Sequence, residues 1–206
     1  MALELHSWPR SSGTRVSWAL EELNLPYKYL EVDQKGLEHR SPKYLALNPH
    51  GKVPTLVDGE QVFFESAAIL LHLGDKYGAG KGLWPAANDP AHCEALCWTV
   101  WSMTELGNYM MQYMYHGLDS PFSYKPEDRS KACAEYNHAQ FMRCVNALES
   151  RLGDRQYLLR DFSLVDIAAA SWLSLGAMCG LALDAQPRVV AWTQRCVERP
   201  ACKRAR

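Results

Sequence analysis

Residues 48–73 read NPHGKVPTLVDGEQVFFESAAILLHL, and no other stretch constrains the fold as strongly. Two apolar runs, Val53 to Val57 and Val62 to Phe64, flank an Asp58-Gly59 pair. Asp-Gly between β-rich runs signals a hairpin, because the tight turn needs a positive φ that glycine adopts freely. Pro54 falls inside the first run, where it cannot donate to a ladder, and so marks an edge or a special backbone. Glu65-Ser66 follows the second run directly, and Ile69, Leu70, Leu73 and Tyr77 then recur at helical spacing. Ser66 is the expected N-cap and Gly78 the expected stop. A hairpin thus feeds a helix whose N-terminus turns back over the Pro54 strand. Its free N–H groups and macrodipole favour an anion, and the whole suits an extended peptide bearing a carboxylate.

Composition excludes several alternatives. With 48% hydrophobic and 22% charged residues in 206, the chain can bury a core and is not disordered. A net charge of −1 and the lack of a basic block beyond the KRAR tail argue against nucleic acid. No apolar run spans a bilayer and residues 1–20 lack a signal pattern, so a cytoplasmic protein without a membrane partner is expected. All seven cysteines (Cys93, Cys97, Cys133, Cys144, Cys179, Cys196, Cys202) lie beyond residue 92. No paired Cys or His completes a zinc set, so no metal is expected, and an odd number reads as buried thiols. The first half has no thiol of its own for catalysis.

The chain divides at the same place. Residues 3–7 alternate as a short strand, and Val16, Ala19, Leu20 and Leu23 repeat as a helix that Leu25-Pro26 ends. Tyr27 to Val32 is a second strand and Pro42 to Leu47 a short helix, giving βαβ followed by ββα. From about residue 89 only helical periodicity remains. The expected architecture is an α/β domain at 1–80, a linker through Gly78–Gly82 and Trp84-Pro85, and an all-helical domain at 89–206.

The segments SWPRSSGTRVSWALEELNLPY (7–27), NPHGKVPTL (48–56), FFESAAILLHL (63–73) and FSLVDIAAA (162–170) together resemble the soluble glutathione transferases, serine-type and theta-like in pattern. They cover nearly the whole chain in the family's order. The resemblance implies a thioredoxin-like domain followed by a helical one, glutathione as co-substrate, a homodimer, and detoxification chemistry on electrophilic, largely apolar molecules. A glutathione-dependent isomerase or disulfide-bond reductase is an alternative. So is a noncatalytic ligand-binding or interaction protein of the same fold.

By the same resemblance, Val53-Pro54 is cis, and Val53 offers its backbone to the cysteinyl unit as an added strand would. Ser66 holds the γ-glutamyl carboxylate and Glu65 faces its ammonium group. Lys52, with His39 or Arg40, meets the glycine carboxylate. A free thiol titrates near ~8.5, and lowering that by two units takes about 2.7 kcal/mol of thiolate stabilisation. A hydroxyl donor plus helix dipoles can supply it. No Tyr precedes Tyr27 and no Cys precedes Cys93, so Ser7, Ser11, Ser12 and Thr14 are the candidates. Counting back from Arg15 puts Ser11 at the theta-like serine; counting from Ala19-Leu20 puts Ser12 where beta-like classes carry cysteine. An alignment through Trp8-Pro9 puts Arg10 there instead. Ser11 is the expected donor and Ser12 the runner-up.

Two features of the second half complete the expectation. Ser163, Asp166, Phe162 and Ile167 form a capping box and hydrophobic staple at a helix start, a structural rather than catalytic device. MTELGNYMMQYMYH (103–116) reads first as helix core. By resemblance its Tyr109, Met110, Tyr113 and Met114 face the thiol and line the acceptor pocket, where flexible Met and amphipathic Tyr suit an apolar ligand.

Overall fold

The structure, a computed structural model, describes residues 3–206. Four strands, β1 (Leu3–Ser7), β2 (Tyr27–Glu31), β3 (Thr55–Asp58) and β4 (Gln61–Phe64), form one sheet in the order β2-β1-β3-β4. β1 and β2 run parallel, joined through helix α1 (Gly13–Glu22); β3 pairs antiparallel with both β1 and β4. The alternation of β1 puts Leu3 and Leu5 into the core. Val16, Ala19, Leu20 and Leu23 of the α1 region and Ile69, Leu70 and Leu73 of α3 (Ser66–Leu73) are buried in the same unit, with α1 and α3 in contact. On the other face of β1, His6 meets the ring of Tyr44 from the short helix α2 (Pro42–Leu45) at 6.3 Å.

The hairpin closes through Gly59 at φ 66, but Asp58 stays in its strand. Its buried carboxylate gathers His72 Nε2 and Lys76 Nζ at 2.7 Å and Tyr77 Oη at 2.9 Å, tying the turn to the helix that follows. Pro54 corrects an expectation. It precedes β3 rather than sitting within it, and β3 is an interior strand; the special backbone, not an edge position, accounts for the proline.

The second unit, Asn88–Glu198, is helical throughout its regular structure. α4 (Ala91–Trp101) continues through a π-helical stretch, Ser102–Leu106, into α5 (Gly107–Gly117); α6 (Lys131–Leu152), α7 (Leu164–Met178) and α8 (Pro187–Val197) follow. Its core includes Leu106, Phe141, Val145, Leu148, Ile167, Leu173 and Trp192. Ser163 stands at the N-cap of α7, and the fully buried Asp166 carboxylate reaches back for the Ser163 N–H at 2.9 Å and its hydroxyl at 3.2 Å. It also accepts the Leu158 N–H at 3.0 Å and Trp192 Nε1–H at 2.8 Å. Phe162 and Ile167, the two ends of the expected staple, are both buried.

The last residues correct the division at 80 and 89. The first unit extends through Ala87 and also takes in Arg199–Arg206, including α9 (Pro200–Arg204). Arg199 grips Glu22 with two bonds of 2.6 and 2.8 Å, and Arg204 Nε bonds Glu21 at 2.7 Å. Ser17 exchanges hydrogen bonds with the backbone of Arg206, both at 3.0 Å. Among the described residues no helix is long and apolar enough to cross a membrane.

Candidate functional site

At the N-termini of α1 and α3 the first unit holds a cavity of about 180 Å³ lined by Ser12, Asn48, Lys52, Val53, Pro54, Glu65 and Ser66. Three separate chain segments, widely spaced in sequence, therefore converge. Val53-Pro54 is cis, as expected. The segment before it is fixed from behind. The Lys52 carbonyl accepts from Tyr44 Oη and from Asn48 Nδ2, both at 2.8 Å, and the same two groups reach the buried Thr55 Oγ1 at 3.0 and 3.3 Å. Asn48 and Tyr44 escaped the sequence reading as site residues. The signal was there, since an Asn four residues before Lys52 can bond that carbonyl only across a turn.

On the opposite wall the sequence reading was off by one residue. Glu65, not Ser66, occupies the N-cap of α3, at φ 68 and ψ 118, and Ser66 is the first helical residue. Glu65 supplies the first helical acceptor, its carbonyl taking the Ile69 N–H at 3.0 Å, and its side chain makes no cap bond. The N–H groups of Ser66, Ala67 and Ala68 are left without intrahelical acceptors, as at any helix start. A non-glycine residue in this part of φ/ψ space costs about 1–3 kcal/mol, and such strain collects at ligand clamps. Behind Ser66 lies a residue the sequence reading passed over. Arg15 of α1 is 6% exposed, and its Nη1 donates to Ser66 Oγ at 3.3 Å. Burial pulls its pKa down to about 9, so it is still a cation at neutral pH.

The loop between β1 and α1 places the two serines differently. Ser11 turns inward: its hydroxyl donates to the Trp8 carbonyl at 2.7 Å, accepts the Gly13 N–H at 3.1 Å, and lies 3.0 Å from Ser7 Oγ. Ser12 stands at the N-cap of α1 without a side-chain cap bond and lines the cavity. In this structure Ser11 Oγ serves the loop backbone, whereas Ser12 faces the cavity.

Not every expected residue joins this group. His39 and Arg40 sit in a 3₁₀ turn, Glu38–Arg40, outside the cavity lining; the His39 ring packs edge-on against Trp8 at 5.4 Å. In the helical unit, Met110 and Met114 are fully buried, Met110 against Gly176 of α7. They are core residues, and their expected place in an acceptor pocket is corrected by that burial. Tyr113 packs on His138 with ring centroids 4.6 Å apart. Tyr109 lines a different cavity, of about 240 Å³, with Trp101, Glu105, Gln140, Arg143, Cys144 and Ala147. Burial pushes the Cys144 thiol there up to about 11, so it is an inert thiol rather than a nucleophile. Among the described residues no three ligating side chains come together as a metal site.

Residues 5–81 match the glutathione S-transferase N-terminal domain and residues 111–200 the C-terminal domain of the same family. The chain belongs to the glutathione S-transferase family. Its relatives include glutathione S-transferase 2 of Schizosaccharomyces pombe, 32% identical over 92% of this chain and 87% of the relative. The disulfide-bond oxidoreductase YfcG of Escherichia coli is 28% identical over 98% of this chain and 94% of its own length. Among solved structures, a glutathione transferase from Phanerochaete chrysosporium with oxidised glutathione superposes with a TM-score of 0.86 at 26% identity, covering 98% of this chain and 92% of that one. The thioredoxin-like first half and helical second half are the two domains of this family.

Proposed function

We propose that this chain is a glutathione transferase that adds the glutathione thiolate to electrophilic, mostly apolar small molecules. The observation that carries the reading is the single cavity in which Ser12, the Val53 backbone and the open N-terminus of α3 meet. In this reading the Val53 N–H and C=O pair with the cysteinyl unit as an added strand. Ser66 and the α3 N–H groups hold the γ-glutamyl carboxylate, Glu65 faces the ammonium group, and Lys52 meets the glycine carboxylate. His39, half-buried against Trp8, and the exposed Arg40 lie outside the cavity lining and take no part in this reading.

Ser12 then takes the role first given to Ser11. Its hydroxyl donates to the thiolate, and the α1 N-terminus, with no acidic side chain in its first turn, adds a favourable dipole. Both act more strongly on the thiolate than on the thiol, which lowers the thiol pKa. The thiolate attacks the electrophilic carbon, displacing a leaving group or adding to a polarised double bond, and proximity supplies the rest of the rate.

Glutathione-dependent disulfide reduction is the second reading, favoured by the likeness to the Escherichia coli oxidoreductase and by the oxidised glutathione in the Phanerochaete structure. No cysteine is among the residues lining the cavity, so both thiols would come from glutathione itself. Retention on immobilised glutathione, then parallel assays with a chromogenic aryl halide and a small disulfide, separates the readings. Turnover of the halide supports conjugation, turnover of the disulfide alone supports reduction, and retention without turnover leaves a binding protein. A cytoplasmic homodimer accompanies the proposal, and sedimentation showing a monomer at micromolar concentration would remove the dimer.

A further inference from the structure

The bond between Arg15 and Ser66 has a direction, and the direction has chemical content. A guanidinium only donates, whereas a serine hydroxyl has one proton and two lone pairs. The 3.3 Å contact from Arg15 Nη1 therefore occupies a lone pair of Ser66 Oγ and leaves the serine proton to be given elsewhere. Ser66 makes no other side-chain hydrogen bond among the described residues, and it lines the cavity. The hydroxyl is thus held as a donor toward whatever occupies that wall. The helix beneath it adds three N–H groups, again donors only. Arg15 itself is a cation enclosed by the fold directly behind that hydroxyl, and positive charge there favours an anion over a neutral group on the same wall.

We infer that Arg15 is a positioning residue of this wall: it turns the Ser66 hydroxyl into an obligate donor and biases the subsite toward an ionised carboxylate over an isosteric amide. The inference rests on the glutathione reading of the cavity and deepens it, because the tripeptide carries two carboxylates and only one would lie here. Selectivity at the γ-glutamyl α-carboxylate then depends on Arg15. Selectivity at the glycine carboxylate, assigned to Lys52, does not.

Calorimetry with three probes tests it: glutathione, its γ-glutamyl α-carboxamide and its glycine carboxamide. A charge-assisted hydrogen bond contributes about 1.5–3 kcal/mol, so the wild-type protein is expected to bind the α-carboxamide roughly 10–100-fold more weakly than glutathione. Arg15→Met fills the buried site without charge, with an unbranched apolar chain in place of the arginine stem. Arg15→Gln keeps a donor for Ser66 but no cation. In both, the preference for the α-carboxylate is expected to fall several-fold, further in Arg15→Met, while the preference at the glycine end stays at its wild-type value. A merely structural role would lower all three affinities together and leave both ratios unchanged. Either that outcome or full retention of the α-carboxylate preference overturns the assignment. A wild-type protein that binds none of the probes sinks the glutathione reading instead, so the two failures are distinct.

Discussion

Gly13 begins α1 against the last residue of β1, and replacing it with alanine tests how the loop holding Ser12 is made. A Cβ built there would stand 1.9 Å from Ser7 Oγ, 2.7 Å from Ser7 Cβ and 3.2 Å from Ser11 Oγ. Turning the Ser7 hydroxyl away would relieve the first contact but not the second, because Cβ moves only with the backbone. Ser7 is fully buried, so the strand cannot yield to solvent. Overpacking of this kind costs about 1–3 kcal/mol. Moving α1 outward also stretches the Gly13 N–H to Ser11 bond, worth about 1 kcal/mol. Against this, alanine reduces unfolded-chain entropy by about 0.4–1 kcal/mol. The net expectation for Gly13→Ala is a loss of about 1–3 kcal/mol in denaturant unfolding, with weakened glutathione binding because Ser12 moves away from Val53. Ser7→Gly in the same chain removes both clashing atoms and should recover most of the α1 position. Ser7→Ala removes only Oγ and should recover less. Stability of Gly13→Ala within 0.5 kcal/mol of wild type would refute the argument, as would equal rescue by both partners.

Ser12→Ala is expected to raise the pKa of bound glutathione thiol, read from thiolate absorbance against pH. Conjugation at neutral pH should slow by less than the ~100-fold typical of a lost oxyanion donor, and should recover as pH rises. Ser11→Ala should instead cost about 1 kcal/mol of stability for its lost loop bonds and leave that titration in place; the opposite pattern would return the role to Ser11. Glu65→Gly relieves the positive-φ strain, so thermal unfolding should shift upward by the equivalent of about 1 kcal/mol while glutathione affinity falls. A variant that lost stability would show the Glu65 backbone to be unstrained. Asp166→Ala leaves the Ser163 and Leu158 N–H groups and the Trp192 indole N–H buried without acceptors, at about 1–3 kcal/mol each. A drop of less than about 2 kcal/mol in chemical unfolding would mean the network contributes little; glutathione affinity of the folded fraction should not change.

Local chemistry explains which features could be read from the chain. The Asp-Gly turn, the alternation of β1, the proline before β3 and the Ser163–Asp166 helix start all depend on neighbours within a few residues. Errors arose where a conformation or a distant partner decides. Ser66 looks like a cap by residue type, yet the cap belongs to Glu65 because the backbone turns through φ 68 there. Ser11 and Ser12 are chemically identical neighbours, and only the folded loop shows that the Ser11 hydroxyl bonds the Trp8 carbonyl while Ser12 makes no cap bond. Met110 and Met114 satisfy the pattern of a core stripe and of a tolerant pocket equally well; the burial of both against the helical unit's interior selects the first. Arg15 was invisible because a charged residue in an amphipathic helix is ordinarily solvated, and its partner lies 51 positions away.

The return of Arg199–Arg206 to the first unit gives the protein an order of assembly. A ribosome delivers the sheet first, then the whole helical unit, and only then the residues that bond Glu21, Glu22 and Ser17. Those closing pairs span 177 to 189 positions of sequence. The helical unit is, topologically, an insertion within the first. The earliest part to emerge is therefore the last to be completed, and nascent chains halted before residue 199 would carry α1 with two glutamates still waiting for their arginines.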